Sequence, residues 1–203
     1  MRSDYGNSEL NIEDIPDEPW RLLADWIAAA RVLGHPEPTA MALATCGADH
    51  TPSCRMVLAR DVSSQGVTFF TNYESRKGVQ ISENPVVAAT FWWPEFHRQV
   101  RIEGSIVKVS DEESDQYWES RPVESRAASA SSPQSRPIQS RDTLEELINQ
   151  MVENGVVSRP GHWGGYRIVP NMFEFWQGRT ARIHDRFELR LESGAWKRQR
   201  LAP

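Results

Sequence analysis

Cationic side chains stand near aromatic residues at several points of the sequence, and these groups are the ones best suited to chemistry. They are Arg55 with Arg60, Arg76 with Lys77, Arg121 with Arg126, and Arg182-Ile183-His184-Asp185-Arg186 after Phe175-Trp176. A guanidinium group binds a phosphate through two parallel, charge-assisted hydrogen bonds. A surface arginine more often forms an ordinary ion pair. Composition alone leaves both interpretations open.

Other common reactive motifs are missing from the sequence. It contains no Gly-rich dinucleotide turn, no P-loop and no Gly-x-Ser-x-Gly elbow. The five histidines lack metal-ligand spacing, so we expect no metal site. Cys46 and Cys54 have no second pair, which favours two reduced, partly buried thiols over a disulfide framework.

Length and composition indicate one globular domain over residues 1–203, with 39% apolar and 25% charged residues. The net charge of −5 argues against a broad nucleic-acid or anionic-membrane surface but allows a local basic pocket. Residues 1–11 lack the apolar region of a secretory signal, and no apolar run is long enough to cross a bilayer. We expect a cytoplasmic protein with no nucleic-acid or membrane partner.

The secondary elements that must position these cations are mostly strands. Residues 1–15 are predicted to be mobile until they pack, and apolar residues at helical spacing predict a helix over 18–33. β-rich segments predict strands at 39–46, 53–60, 67–71, 86–93, 98–109, 165–169, 172–177, 186–192 and 195–201. A slip of the apolar face, from Val100, Ile102 and Ile106 to Val107 and Val109, predicts a bulge near Gly104.

Helices interrupt this series of strands. A short helix is predicted at 77–83, and a helical insert at 111–154 contains helices at 111–119 and 143–154. The Ser-, Arg-, Ala- and Pro-rich segment 120–140 between the last two has the composition of a flexible linker. Short loops favour antiparallel pairing, and strands on both sides of the insert suggest a single barrel.

The order of the motifs resembles the pyridoxine/pyridoxamine 5'-phosphate oxidase family over nearly the whole chain, from about Tyr5 to Pro203. The most specific stretch is Glu174-Phe175-Trp176-Gln177-Gly178 followed by Arg182-Ile183-His184-Asp185-Arg186. Further matches in family order are Glu37 to Met41, Phe70-Thr71-Asn72, Ser75-Arg76-Lys77, Arg98-Gln99, Ser120-Arg121-Pro122, Gln134-Ser135-Arg136, Trp163-Gly164-Gly165 and Arg200 to Pro203.

The resemblance implies a mainly β fold with peripheral helices, an antiparallel split β-barrel that forms a homodimer with FMN in clefts between the subunits. Arg76 and Lys77 would bind the FMN phosphate where a loop enters a helix, a position that favours anions. The other implied flavin-binding residues are Arg55, Met56, Val57, Leu58, Phe70, Thr71, Gln99, Gln134, Ser135, Trp176 and Arg186.

The resemblance also implies a small phosphorylated pyridine substrate and dioxygen as electron acceptor. Arg60, Tyr117, Arg121 and Ser125 would hold the substrate phosphate, which makes the segment 120–140 part of the pocket wall. Arg182 and His184 would flank the pyridine ring as the catalytic residues. Their i, i+2 spacing predicts that both lie on one face of an extended segment.

Three positions depart from the family pattern, and they concentrate on the substrate side. Arg60 stands for a usual Lys, Phe70 for a common Tyr, and Ala128-Ser129-Ala130 for Gly-Ala-Trp. Two alternatives therefore stay open. One is a flavin oxidase of the same fold that acts on another ring system, as in phenazine biosynthesis. The other is a flavin- or pyridoxal-phosphate-binding protein without turnover.

Overall fold

A strongly curled antiparallel sheet forms the centre of the molecule in the computed structural model, which describes residues 9–155 and 157–203. The strands are β1 (Ala40–Cys46), β2 (Pro52–Leu58), β3 (Asp61–Ser63), β4 (Gly66–Asn72), β5 (Val86–Trp93), β6 (Arg98–Lys108), β7 (Trp163–Gln177), β8 (Asp185–Glu192) and β9 (Ala195–Arg200). The helices are α1 (Pro19–Val32), α2 (Arg76–Glu83), α3 (Asp111–Glu119), α4 (Val123–Ser131) and α5 (Arg141–Glu153).

The long strand β7 organises this sheet. The strand order is β2-β1-β5-β6-β7-β4-β3, and β6 pairs with one edge of β7 from Tyr166 to Gln177. The other edge is divided: β4 pairs with Trp163–Ile168, and β8 pairs with Met172–Gln177. β9 continues the sheet from β8. This arrangement confirms the predicted antiparallel split barrel.

A β-bulge separates the two halves of β7. Opposite β6, the register moves from Glu103↔Met172 to Gly104↔Pro170, so that Asn171 is the extra residue. The bulge near Gly104 is confirmed, but the extra residue lies in β7 and not in the strand of Gly104. The predicted slip of the apolar face in β6 is therefore wrong at Val107, which is exposed. Two separate predicted strands, 165–169 and 172–177, are one bulged strand.

Glycines let neighbouring segments of the same chain approach β7 closely. A Cβ atom on Gly104 would lie 2.2 Å from the carbonyl oxygen of Val169. On β7 itself, a Cβ on Gly164 would lie 2.1 Å from the hydroxyl oxygen of Tyr73, and one on Gly165 would lie 2.8 Å from the ring of Phe70. The Gly-Gly pair thus allows two aromatic side chains to lie close to the backbone of the strand.

The main core lies between the concave face of the sheet and helix α1. Leu23, Trp26, Ile27 and Ala30 recur along one face of α1 and are buried, which is the amphipathic pattern of a helix packed on a core. Pro19 occupies the first turn, where its missing N–H is not needed. None of the helices in the described part of the chain is long and apolar enough to span a membrane.

The segments predicted to be irregular differ from expectation. Residues 1–8 of the predicted mobile segment lie outside the described residues, while Leu10 and Ile15 are buried in the core. The segment 120–140 contains helix α4, so its interpretation as a flexible linker is wrong for 123–131. Ala127 on that helix is fully buried in a second cluster with Trp118, Val157 and Trp163.

Replacing Gly104 with alanine should destabilise the fold, because the new methyl group would meet backbone atoms of β7 that cannot move aside. We expect Gly104→Ala to lower the free energy of unfolding by about 1–3 kcal/mol, measured by urea titration. Gly161→Ala is the matched control, since a Cβ there meets nothing within 4 Å. Equal midpoints for the two variants would contradict the close approach.

Candidate active site

One cavity of about 600 Å³ brings together the strands β2 and β4, the start of α2 and the helical insert. Its volume falls in the range of cofactor and substrate sites. Twelve of the predicted site residues line it: Arg55, Met56, Val57, Leu58, Arg60, Phe70, Thr71, Lys77, Tyr117, Arg121, Ser125 and Gln134. The helical insert is thus a wall of this cavity, as the resemblance implied.

Lys77 is a buried cation at the floor of the cavity. Its ammonium group donates to Thr71 Oγ1 at 3.1 Å, Ser75 Oγ at 3.2 Å and Gln134 Oε1 at 2.8 Å, all of them neutral acceptors. Burial, and then the charge of Arg55, lower the pKa of Lys77 to about 8. A buried cation held by neutral groups is incompletely compensated, which makes it suited to an anionic ligand.

Arg55 is held at the neighbouring wall in the same way. Its guanidinium donates to the Leu43 carbonyl oxygen at 3.1 Å and to Thr45 Oγ1 at 2.6 Å, and it also contacts Ser53. Burial lowers the pKa of Arg55, although an arginine stays charged at any physiological pH. Two cations with neutral hydrogen-bond partners therefore face one cavity.

Stacked aromatic rings form the opposite wall. The rings of Phe70 and Tyr117 stack with centroids 3.9 Å apart, and Trp163 lies nearly parallel, 5.6 Å from Phe70. Arg60 lies over the Tyr117 ring at 5.9 Å. Such stacking restrains Tyr117, so that its hydroxyl has a fixed place beside the cavity.

Arg121 completes this wall from the loop between α3 and α4. Its guanidinium packs on Trp163 at 4.9 Å and on Trp118 at 5.4 Å. The Nη2 atom donates to the Ser125 carbonyl oxygen at 3.1 Å and to Ser129 Oγ at 2.9 Å. The Nη1 atom is buried and has no hydrogen-bond partner within the described ranges 9–155 and 157–203. An unpaired buried guanidinium nitrogen is costly unless a ligand satisfies it.

A second group of predicted site residues lies at the far end of β7, and we call Gln99, Trp176, His184 and Arg186 the C-terminal cluster. Gln99, Trp176 and Arg186 are cross-strand neighbours on one face of the sheet. The rings of Trp176 and His184 are 4.7 Å apart. Trp176 is 13 residues from the cavity residue Trp163 along β7, up to roughly 40 Å of strand.

The two predicted catalytic residues do not lie on an extended segment, so that expectation was wrong. Thr180–Arg182 forms a 3-10 turn in which Ala181 and Arg182 have φ values of 55° and 62°. Arg182 is exposed. His184 Nδ1 accepts from the Arg179 amide at 3.1 Å. Burial, and then the charge of Arg182, lower the pKa of His184, which favours the neutral imidazole at pH 7.

Ion pairs hold the C-terminal cluster on its strands. Arg186 Nε pairs with the buried carboxylate of Glu174 at 2.8 Å, and Arg101 pairs with the other oxygen of Glu174 at 2.7 Å. Asp185 accepts from Arg200 at 2.6 Å and from the amide of Leu10 at 3.2 Å. The turn, the C-terminal strand and the N-terminal segment are thus tied together beside His184.

The residues that line the main cavity differ in part from the site residues predicted from the sequence. Arg76 is exposed and lines a neighbouring cavity with Ser135, next to the one described above. Residues that sequence reasoning did not assign also line the main cavity: Asn72, Ala128, Ser129, Ser132, Leu144, Ile148 and Trp163. The motifs Phe70-Thr71-Asn72 and Trp163-Gly164-Gly165 carried a signal for two of them. Leu144 and Ile148 form an ordinary apolar helix face, which gives no such signal.

The resemblance implies that Lys77 binds the FMN phosphate, and in that case the lowered pKa of Lys77 predicts how FMN binding depends on pH. Above pH 8 the free protein loses the cation, so affinity for FMN should fall roughly ten-fold between pH 7 and pH 9. Quenching of flavin fluorescence by the apoprotein measures this affinity. Lys77→Arg should remove the dependence, because arginine keeps its charge. The same slope in wild type and Lys77→Arg would show that another group controls it.

Comparison with known proteins accounts for nearly all of the chain. Residues 29–151 match the family model described as pyridoxamine 5'-phosphate oxidase, and residues 163–203 match the pyridoxine 5'-phosphate oxidase C-terminal dimerisation region. The chain is 48% identical to a pyridoxine/pyridoxamine 5'-phosphate oxidase of Azotobacter vinelandii, covering 100% of this chain and 97% of that protein. A relative of the same name from Verminephrobacter eiseniae is 46% identical over the same shares.

Solved structures show the same fold. PhzG from Burkholderia lata 383, in complex with tetrahydrophenazine-1-carboxylic acid, has a TM-score of 0.91 and 34% identity and covers 94% of this chain and 95% of its own. An FMN-binding protein from Nostoc punctiforme has a TM-score of 0.73 at 18% identity and covers 91% of this chain and 97% of its own. The matches along the whole length show that this chain belongs to the pyridoxine/pyridoxamine 5'-phosphate oxidase family.

Proposed function

We propose that this protein is an FMN-dependent oxidase that converts pyridoxamine or pyridoxine 5'-phosphate to pyridoxal 5'-phosphate. The amine substrate, dioxygen and water would give the aldehyde, hydrogen peroxide and ammonia; the alcohol and dioxygen would give the aldehyde and hydrogen peroxide. The observation that carries the proposal is one cavity with both a predicted flavin wall and a predicted substrate-phosphate wall. Relatives of this name at 46–49% identity support it.

The residues of the cavity fit FMN. Lys77, a buried cation with neutral partners, would bind the flavin phosphate, and Gln134, 2.8 Å from it, would be a further polar contact. Strand β2 would support the flavin ring through Arg55 to Leu58. FMN held there would supply the redox chemistry, as an acceptor for the hydride of the substrate's C4' carbon that dioxygen could reoxidise. Arg76 would act from the neighbouring cavity, as an exposed charge near the phosphate.

A phosphate clamp, consisting of Arg60, Tyr117, Arg121 and Ser125, would hold the substrate. All four line the cavity, and Arg121 Nη1 supplies a buried donor that a phosphate oxygen would satisfy. The restrained Tyr117 and Ser125 would add hydroxyl donors. Two cations and two hydroxyls match the charge and the acceptors of a phosphate dianion. Binding at this remote group would orient the reacting carbon.

The pyridine ring would be held by Arg182 and His184 of the partner subunit. Within one chain these residues lie near the far end of β7, away from the phosphate clamp, so a single chain does not bring the predicted groups together. A homodimer would do so, and the match of residues 163–203 to a dimerisation region supports it. The neutral His184 would orient the ring, and the charge of Arg182 would stabilise negative charge on it.

The similarity to PhzG favours a second candidate, an oxidase of the same fold that acts on another ring system. The loss of the family's usual Trp, where Ala130 stands, leaves more room beside the substrate segment. The phosphate clamp and the higher identity to the vitamin B6 enzymes favour the first candidate.

The cytoplasm is the proposed compartment, because Cys46 and Cys54 are free thiols and such thiols persist in reducing surroundings. Cys54 is exposed, however, and not partly buried as expected.

Substrate choice gives a direct test of this function. FMN-loaded protein should consume oxygen with pyridoxamine 5'-phosphate and show no measurable uptake with unphosphorylated pyridoxamine, because the phosphate clamp would be unfilled. An oxygen electrode measures both rates in one preparation. No uptake with the phosphorylated amine would contradict the proposal. Uptake with tetrahydrophenazine-1-carboxylic acid instead would favour the second candidate.

Removal of one cation from the phosphate clamp should weaken substrate binding. We expect Arg121→Ala to raise KM for pyridoxamine 5'-phosphate by roughly 30- to 100-fold, the loss of a buried charge-assisted contact. Arg141→Ala is the control, because Arg141 is exposed on α5 and, among the described residues, forms an ion pair only with Glu145. Unchanged kinetics in Arg121→Ala would refute the role of this residue.

A further inference from the structure

We propose that Ser129 is a fifth phosphate ligand in the substrate site and the residue that positions Arg121. The inference rests on the proposed function, since it concerns the same phosphate clamp. Ser129 stands in the segment Ala128-Ser129-Ala130, where the family pattern has Gly-Ala-Trp. Its hydroxyl is therefore an addition of this chain and not part of the usual pattern.

The orientation of Arg121 depends on two acceptors. Nη2 donates to Ser129 Oγ at 2.9 Å and to the Ser125 carbonyl oxygen at 3.1 Å. The carbonyl belongs to the backbone of α4 and is fixed, while the hydroxyl is the only side-chain acceptor for Arg121 among the described residues. With Nη2 occupied and the guanidinium plane packed on Trp163, Nη1 is left as the buried donor without a partner. Ser129 thus helps to decide which nitrogen is available to a ligand.

The Ser129 hydroxyl can also donate a hydrogen bond. A serine hydroxyl carries one hydrogen and two lone pairs, and the bond from Arg121 uses one lone pair. No acceptor for the hydroxyl hydrogen occurs among the residues that the structure describes, and the side chain lines the cavity. A phosphate oxygen next to Arg121 would accept this hydrogen.

Helix α4 places the two serines together. Ser125 and Ser129 are four residues apart, so both lie on one face of the helix, and both line the cavity. The small side chains of Ala128 and Ser129 keep this face open to the cavity. One helical turn thus presents two hydroxyls beside the guanidinium of Arg121, and the pair would bind two different oxygens of one phosphate.

The experiment compares wild type, Ser129→Ala, Ser129→Thr and Ser131→Ala as FMN-loaded proteins. Ser129→Ala should raise KM for pyridoxamine 5'-phosphate about ten-fold with kcat within about two-fold, because the contact is to the unreacting phosphate. Ser129→Thr keeps a hydroxyl and should restore most of the affinity. Ser131→Ala is the matched control on the same helix, because Ser131 does not line this cavity.

A binding measurement separates this inference from the proposed function. Titration with pyridoxal 5'-phosphate, followed by its absorbance, needs no turnover and should show the same loss of affinity of about ten-fold in Ser129→Ala. Inorganic phosphate, which has no ring, should compete about ten-fold more weakly in that variant. Absent turnover in every protein would overturn the proposed function, while this loss of affinity would still support the role of Ser129.

Several results would overturn the role of Ser129. Equal affinity of wild type and Ser129→Ala for both phosphate ligands would do so. A loss that Ser129→Thr does not restore would show that the hydroxyl is not the cause. A lower kcat with unchanged affinity would place the effect on the reacting ring and not on the phosphate. An equal loss in Ser131→Ala would indicate a general disturbance of α4.

Discussion

The division of the outer edge of β7 between β4 and β8 is the constraint on which the rest of the molecule depends. A single strand of 15 residues is long enough to pair with two strands in succession, and the bulge at Asn171, opposite β6, falls between the two paired segments. The first half of β7 then supports the cavity, and the second half carries the C-terminal cluster. The separation of the two groups follows directly from the pairing of one strand.

Cations without acidic partners explain why the cavity has the form of a binding site. Exposed arginines elsewhere in this protein pair with carboxylates, as Arg136 does with Glu74 and Arg141 with Glu145. Lys77 and Arg121 instead use neutral oxygens and are partly desolvated, which lowers both pKa values. These poorly compensated charges lower the free energy of unfolding of the empty protein. Binding of an anion would restore that lost stability. The stacked rings of Phe70, Tyr117 and Trp163 help to keep the opposite wall in place.

The sequence predicted most of the strands, because alternation is a local signal, and the resemblance to the family implied most of the residues that line the cavity. The predictions from the sequence failed where tertiary contacts determine the local secondary structure. Pro170-Asn171 has the composition of a turn, yet pairing with β6 keeps it in a strand. Helix α4 contains good helix formers but no large apolar residues repeated at helical spacing that would mark it in the sequence, and the burial of Ala127 against Trp118 and Trp163 stabilises it. No pattern predicts positive φ at Ala181 and Arg182, since neither residue favours it.

The central claim is that each active site combines the cavity of one subunit with the C-terminal cluster of the other. It is tested by refolding two variants together with FMN, Arg121→Ala and His184→Ala, and by assaying the mixture at a substrate concentration near the wild-type KM, where each variant alone should have little activity. About half of the dimers would then be hybrids with one intact site, so the mixture should recover about a quarter of wild-type activity. A mixture with no more activity than the two variants refolded separately would show that both groups act within one chain and would contradict the account.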